Sequence, residues 1–456
     1  MLLPHPNTQK VLNSVLKKIK PSKAELAQEK KIVGEIFTRL QKVVPANIEV
    51  VLAGSIAKGT NLTGDKDFDV FMLFPNSYSR KDLVDLGLEW AKKAVKPHKW
   101  EIGYAEHPYL QADMHGAHLD IVPAYKINSI DERATSVDRT QFHTKYVNGK
   151  TNEKMRDDVR LLKRFLKGIG VYGAELRVEG FSGYLCELLI LSYGSFIELV
   201  QAAAEWREPV LDIEEHHTID LRKKFDQAAL IVIDPVDRER NVAAAVSATS
   251  LSKFIFACQQ FLKNPSEDLF FPKKKPVNVK KLASNVKMRG TYQFILTFPA
   301  PKPKLVEDIL WPQLKKSCGI IVRFLECEGF RPLGYFHWSD GKECAIFFEV
   351  HDEKLPAVKS VQGPFVHITK DVEKFLEKHA DSHSRYIEGC RIMAVKSRKL
   401  VTAKDAVEEL RKKPEQYGIP KQLVSSFKKL KLLKDRGIFK KQYLQSLDDY
   451  YSNRVF

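Results

Sequence analysis

Apolar residues recur along the chain with changing period, and each stretch predicts its own kind of element. Ser22 and Glu25, three apart, precede Ile32, Val33, Ile36, Phe37, Leu40 and Val44 at helical spacing, which predicts a capped amphipathic helix. Strand-like patterns follow over 48–53, 67–74 and 119–122, the second alternating polar and apolar residues. With a helical stretch over 81–94 they predict a small α/β domain ending near Lys145.

From Met155 to about Lys263 the period becomes helical. Val159, Leu162, Phe165, Leu166 and Ile169 form one stripe, Ser182 can cap a helix from Tyr184, and 243–262 reads as a third helix. This predicts an all-α middle region. The run Phe271-Pro272-Lys273-Lys274-Lys275-Pro276 reads as a linker, rich in proline and like charge. Beyond it come a strand over 292–298, a helix over 304–327 interrupted at Pro312, strands over 332–337 and 343–350, a helix over 369–379 and a strand over 391–396. That order, β-α-β-β-α-β, is the split-βαβ sandwich of ferredoxin-like domains, which RNA-binding sheets often use. No aromatic-rich RNP1 pattern is evident, and adjacent Phe347 and Phe348 point to opposite faces, so this sheet is either an RNA-contact surface or a packing scaffold. Helices at the end of the chain are expected to carry Lys428, Lys429, Lys431, Lys434, Arg436, Lys440 and Lys441. The fold class is α+β and multidomain, divided as 1–145, 146–270 and 271–456.

Composition narrows the setting. The 456 residues are 44% apolar, enough for sizeable cores and against wholesale disorder. Six cysteines without a C-x-x-C pair, and no apolar leader behind Met1, fit a reducing cytoplasm, so neither thiol chemistry nor structural zinc is expected. His379 and His383 stand at i, i+4 spacing without a third ligand. The longest apolar stretch, 184–200, is interrupted by Glu187, Gly194 and Glu198 and reads as a buried core helix rather than a membrane span. With 74 basic and 57 acidic side chains the net charge is +17, which favours a polyanion or an acidic membrane surface without choosing among RNA, DNA and lipid.

The chemistry is concentrated in Gly54-Ser55-Ile56-Ala57-Lys58-Gly59-Thr60 and Asp67-Phe68-Asp69-Val70-Phe71. Alternation puts Asp67 and Asp69 on one face of a strand, where adjacent negative charges call for a hard divalent cation, naturally magnesium. Asp120, on a neighbouring short strand, can complete a three-carboxylate set. The Gly-Ser turn, with Lys58 beside it, can hold phosphate oxygens, although it is not a Walker A loop. Alone, each motif is common on solvated strands and turns. Together they describe a nucleotide triphosphate held against metal for in-line attack on its α-phosphorus. Arg160, Lys163 and Lys167 share a helix face opposite the apolar stripe, where they can meet phosphates.

Gly-Ser followed by Asp-x-Asp and a later carboxylate resembles the DNA polymerase β-like nucleotidyltransferases. Closer reading sharpens this. The segments Ala105-Glu106-His107-Pro108-Tyr109, Asp120-Ile121-Val122-Pro123-Ala124-Tyr125, Val137-Asp138-Arg139-Thr140-Gln141-Phe142-His143 and Val171-Tyr172-Gly173-Ala174-Glu175 resemble archaeal-type (class I) CCA-adding enzymes. So do Gly180 to Leu189 and Asp234-Pro235-Val236-Asp237-Arg238-Glu239-Arg240-Asn241-Val242-Ala243. The resemblance implies template-independent addition and repair of the tRNA 3′-CCA from CTP and ATP, with a polymerase β-like head. It implies magnesium on Asp67, Asp69 and Asp120, and nucleotide contacts from Ser55, Lys58, Thr140, His143, Lys163, Tyr172 and Arg240. A homodimer is also implied, with no membrane partner. Lys58 and Asp67 depart from the arginine and glutamate that the family pattern implies; charge is kept, bidentate geometry and one methylene are lost. The alternatives are a poly(A) polymerase or oligoadenylate synthetase on the same head, and a non-catalytic RNA-binding protein, which would need a damaged carboxylate set.

Overall fold

In the computed structural model, which describes residues 5–104, 106–273 and 276–452, two helices open the chain, α1 (Thr8–Ile19) and α2 (Lys23–Gln41). Ala105, Lys274 and Lys275 of the segments quoted above lie outside the described residues. Ser22 and Glu25 form the expected capping box of α2, each side chain accepting from the other's backbone amide. Contacts divide the chain into one unit over Met1–Lys274 and a second over Lys275–Val455.

In the first unit follow β1 (Glu49–Ala53), α3 (Gly54–Lys58), β2 (Asp67–Phe74), α4 (Arg80–Val95), β3 (Trp100–Tyr104), β4 (Pro108–Met114) and β5 (Ala117–Tyr125). The sheet order is β1-β2-β5-β4-β3, and only β2 and β5 run parallel. Phe68, Val70, Met72 and Phe74 are buried against Ile32, Ile36 and Leu40 of α2 and Leu83 and Trp90 of α4. Phe71 and Leu73 turn to the other face with Ala53 and Val122. Burial is worth about 1.5–3 kcal/mol for each large apolar side chain, so a one-residue slip that exchanged the faces is excluded. That choice sends Asp67 and Asp69 to the face away from the two helices.

The unit continues through α5 (Thr140–Lys150), α6 (Glu153–Gly168), α7 (Gly183–Tyr193), α8 (Phe196–Ala203), β6 (Val210–Asp212), α9 (Leu221–Lys224), β7 (Ile231–Asp234), β8 (Asp237–Asn241) and α10 (Ala248–Lys263). Phe165, Phe181, Phe196, Phe254, Phe261 and Phe270 form its core, and α1, absent from the sequence reading, adds Leu12, Val15 and Ile19 to it. The expectation of an all-α middle region is corrected: β6, β7 and β8 make a three-stranded sheet. The run Leu230-Ile231-Val232-Ile233 is β-branched in its last three residues, fully buried and too short to show a helical period. The single helix expected over 184–200 is also corrected, since α7 and α8 meet at 91°. Gly194 supplies a positive φ of 85° and Ser195 caps α8, accepting from the Glu198 amide. Among the described residues no single helix is long and apolar enough to cross a membrane.

The second unit comprises α11 (Val279–Met288), β9 (Tyr292–Pro299), α12 (Glu307–Glu328), β10 (Pro332–Ser339), β11 (Glu343–Val350), β12 (Val358–Phe365), α13 (Thr369–Lys378), β13 (Ser384–Glu388), β14 (Arg391–Ser397), α14 (Ala403–Lys412), α15 (Lys421–Phe427), β15 (Lys431–Lys434) and α16 (Leu444–Tyr451). Helix α12 runs through Pro312 without interruption. The main sheet is β10-β11-β9-β15, antiparallel throughout, with β11 inserted between the strands that α12 connects. Three of the four expected strands share this sheet, and the fourth does not. The 391–397 strand pairs instead with β12 and β13 in a separate sheet, and the place beside β9 is taken by β15, a segment expected to be helical. Phe348 packs in the cluster with Leu314 and Ile321 of α12, and Phe347 in that with Val286 of α11 and Leu447 of α16. Apolar clusters thus pack on both faces of the main sheet, while β10 keeps Leu333 and Tyr335 exposed.

Candidate active site

The parallel pairing of β2 with β5 builds the acidic centre. Register places Asp69 beside Asp120 and Asp67 beside His118, while β1 sets Ala53 on the other side of Asp69. Gly54 then turns away with φ +70°, and a Cβ on it would lie 1.7 Å from Asp69 Oδ2. Only glycine lets the backbone approach the carboxylate this closely. Burial, reinforced by the charge of Asp120, pushes the Asp69 carboxyl up to about 6. Burial also raises Asp120, although Gln111 Nε2 donates to its Oδ1 at 3.0 Å and His118 Nε2 lies 3.3 Å away. Asp67, at the exposed start of β2, completes a set of oxygen donors whose mutual repulsion a hard divalent cation would relieve. The donor set fits such an ion.

Ser55 and Lys58 lie on the short helix α3 directly after Gly54. Lys58 is nevertheless buried, and its Nζ donates to Glu187 Oε2 at 2.6 Å. Thr60 Oγ1 donates to Glu187 Oε1 at 2.7 Å, and Lys163 Nζ donates to Thr60 Oγ1 at 3.1 Å. Burial pushes Glu187 upward, but Lys58 and then Lys163 hold its carboxyl below the usual range. Burial lowers Lys163, with Glu187 opposing. The open basic face expected on α6 is corrected here: Arg160 and Lys163 are buried, and Arg160 donates to the carbonyls of Asn61 and Gly59 at 2.9 and 2.6 Å. The face opposite the apolar stripe packs on the 59–61 segment, whose carbonyls need donors. Tyr172 belongs to this group, since a Cβ at Gly183 would meet Tyr172 Oη at 3.2 Å and Lys163 Nζ at 3.7 Å.

A second buried carboxylate organises the remaining residues. Asp234, at the end of β7, accepts from Tyr184 Oη at 3.0 Å and from Arg240 at 2.8 Å, and pairs with His143 Nε2 at 2.9 Å. Burial works against its charge, yet His143 and Arg240 bring its carboxyl down to about 2. The His143 ring stacks on Tyr184 with centroids 3.9 Å apart, and burial lowers its basicity against the pull of Asp234. Thr140 opens α5 one turn before His143. Lys58 Nζ lies 5.3 Å from the Tyr184 ring centre, which links the two groups. Arg240 also borders a cavity of about 770 Å³ with Arg133, Arg139, Lys224 and Asp237. Sequence reasoning did not select Glu187, Asp234 or Tyr184 as site residues. Glu187 was visible only as a charge inside an apolar run, and the other two only inside longer motifs.

A Gly-Ser turn, an Asp-x-Asp strand and a third aspartate on the parallel neighbour define a nucleotidyl-transfer head. Comparison with known proteins agrees. Residues 31–147 match the family model of a nucleotidyltransferase domain, 157–271 that of the tRNA nucleotidyltransferase second domain, and 289–433 that of the CCA-adding enzyme C-terminal domain. The CCA-adding enzyme of Methanocaldococcus jannaschii is 37% identical, over 86% of this chain and 88% of the relative. That of Archaeoglobus fulgidus is 37% identical over 88% of each chain. That of Methanothermobacter thermautotrophicus is 34% identical over 96% of this chain and 97% of its own. A solved structure of the Cid1 poly(U) polymerase covers 58% of this chain and 99% of its own at TM-score 0.47 and 15% identity, too distant to bear on function. The chain belongs to the archaeal-type CCA-adding enzymes, a family of tRNA nucleotidyltransferases.

Proposed function

We propose that this protein adds and repairs the 3′-terminal CCA of tRNA in the cytoplasm, without a nucleic-acid template, from CTP and ATP. The observation that carries the reading is the register that puts Asp69 beside Asp120, with Asp67 on the same face and the Gly54-Ser55 turn against them. Asp67, Asp69 and Asp120 would hold magnesium, which supplies activation of the RNA 3′-hydroxyl and charge relief for the leaving pyrophosphate. The 3′-hydroxyl oxygen bonds to the α-phosphorus as the bond to the bridging oxygen of the pyrophosphate breaks. Ser55 and the α3 amides face the triphosphate. Lys58 and Lys163 supply positive charge to it, with Glu187 holding both lysines in place. Tyr172, Thr140, His143 and Arg240 line the nucleotide side, the last two aimed by Asp234. The chain then reads as catalytic head 1–145, central region 146–270 and tRNA-binding region 271–456, acting as a homodimer. Lys431, Lys440 and Lys441 are exposed, which supports a role for them on the tRNA backbone.

The test is incorporation. With magnesium, tRNA ending at the discriminator base gains C, C and A and then stops, and a chelator abolishes the reaction. Long homopolymer tails would favour a poly(A) polymerase, and no incorporation from any nucleotide would end the enzyme reading.

A further inference from the structure

A second group of metal-type ligands lies on the head, sharing no residue with the aspartates. Glu35 on α2, His98 in the loop after α4 and His115 in the turn between β4 and β5 bring one ligand atom each within 4.8 Å of one another. Three separate elements converge there. His115 Nε2 is 3.1 Å from Glu35 Oε2, and the rings of His98 and His115 meet edge-on with centroids 5.4 Å apart. Arg39 occupies only the other carboxylate oxygen, its Nε and second terminal nitrogen reaching Glu35 Oε1 at 2.9 and 2.8 Å. The same guanidinium donates to the Lys96 carbonyl at 2.6 Å, so it fixes both the carboxylate and the loop that carries His98. Such outer partners orient ligands in metal sites. His115 also holds φ +55° beside Gly116 at +73°, a left-handed position that asparagine or glycine fills more easily.

We propose that Glu35, His98 and His115 form a binding site for a divalent transition metal of the zinc type. Two imidazoles and one carboxylate select zinc, nickel or copper over magnesium, so this site and the aspartate set differ in donor chemistry. Around zinc, at about 2.0–2.2 Å from each ligand, the three atoms close to about 3.4 Å apart, a small rotamer adjustment for partly exposed side chains. Water takes the remaining position. The expectation against zinc rested on cysteine spacing and on the missing third ligand beside His379 and His383, and this set involves none of those residues. Because β5 runs from the His115 turn to Asp120, the ion ties α2 to the hairpin that carries a catalytic carboxylate.

The test uses the full-length, tag-free, chelator-stripped protein with metal alone: calorimetric titration with Zn²⁺, and visible absorption with Co²⁺. Wild type should bind one equivalent at this site. His98→Ala, Glu35→Gln and His115→Asn should each lose affinity by about tenfold or more. Asparagine is chosen because it tolerates the positive φ, and unchanged melting temperatures without metal show that the variants fold. Asp69→Asn should keep the site. Absence of saturable binding in wild type, undiminished binding in the three variants, or loss of the site in Asp69→Asn would each overturn the proposal.

Discussion

Two sets of carboxylates in the first unit have opposite surroundings. Asp67, Asp69 and Asp120 lie on neighbouring strands with Asp69 beside Asp120, and the Asp69 carboxyl is pushed up to about 6 by burial and its acidic neighbour. Glu187 and Asp234 are buried, yet both are held below the usual range, Asp234 at about 2, because Lys58 and Lys163 face the first and His143 and Arg240 the second. The first set is arranged for a positive charge that arrives from outside. The second is a finished internal salt-bridge network that aims lysine, histidine and arginine side chains. On the proposed function, carboxylates of the same chemistry are thus sorted into catalytic and positioning roles by their neighbours, not by their type.

The largest expected effect comes from the first set. Asp69→Asn should reduce incorporation on the order of 10⁴-fold, about 5 kcal/mol, while tRNA binding changes by no more than about twofold. Filter binding beside single-turnover incorporation checks this, and joint loss of both would show that Asp69 supports folding instead. Next, Glu187→Gln should cost about 3–5 kcal/mol in urea unfolding, because Lys58 and Lys163 would remain buried without a counter-charge. An unfolding midpoint equal to that of wild type would erase the contrast between the two sets. The smallest effect is a pH dependence. With an unfolded value near 3.9 and a folded value of about 2, Asp234 contributes about 2.5 kcal/mol that is present above pH ~4 and lost as pH falls through 2. The stability gap between wild type and Asp234→Asn should therefore narrow as urea titrations move from pH 5 toward pH 2, and a constant gap would assign that stability to something other than the Asp234 charge.

The head was legible because its signals are local. Alternation at the start of the 67–74 strand predicts that Phe68 and Val70 enter the core and that Asp67 and Asp69 leave it, as observed. The second unit was legible element by element but not in its pairing. The strand at 391–397 was correctly located, yet its partners β12 and β13 are largely exposed and carry weak apolar alternation. The segment 431–434 looked like basic helix, since two lysines flank two leucines. Only its pairing of Leu432 with Leu296 and Leu433 with Ile295 makes it a strand. In the helical part of the first unit, the stripe on α6 was read correctly, whereas its polar face was taken for an open surface. Burial of Arg160 and Lys163 depends on the 59–61 backbone, about a hundred positions away, offering carbonyls to them.

By itself the sequence determined the chemistry available: the carboxylates on one strand, the Gly-Ser turn, the basic excess and the family to which these motifs belong. Residue type and period-two spacing suffice for that, because alternation is a property of the extended backbone. The tertiary structure alone decided which charges meet. The parallel β2–β5 register joins Asp69 to Asp120, and packing of α7 against α3 and α6 brings Glu187 to two lysines. Such pairings are set by where separate elements dock, and Coulomb and desolvation terms that depend on a few ångströms then assign each carboxylate its role.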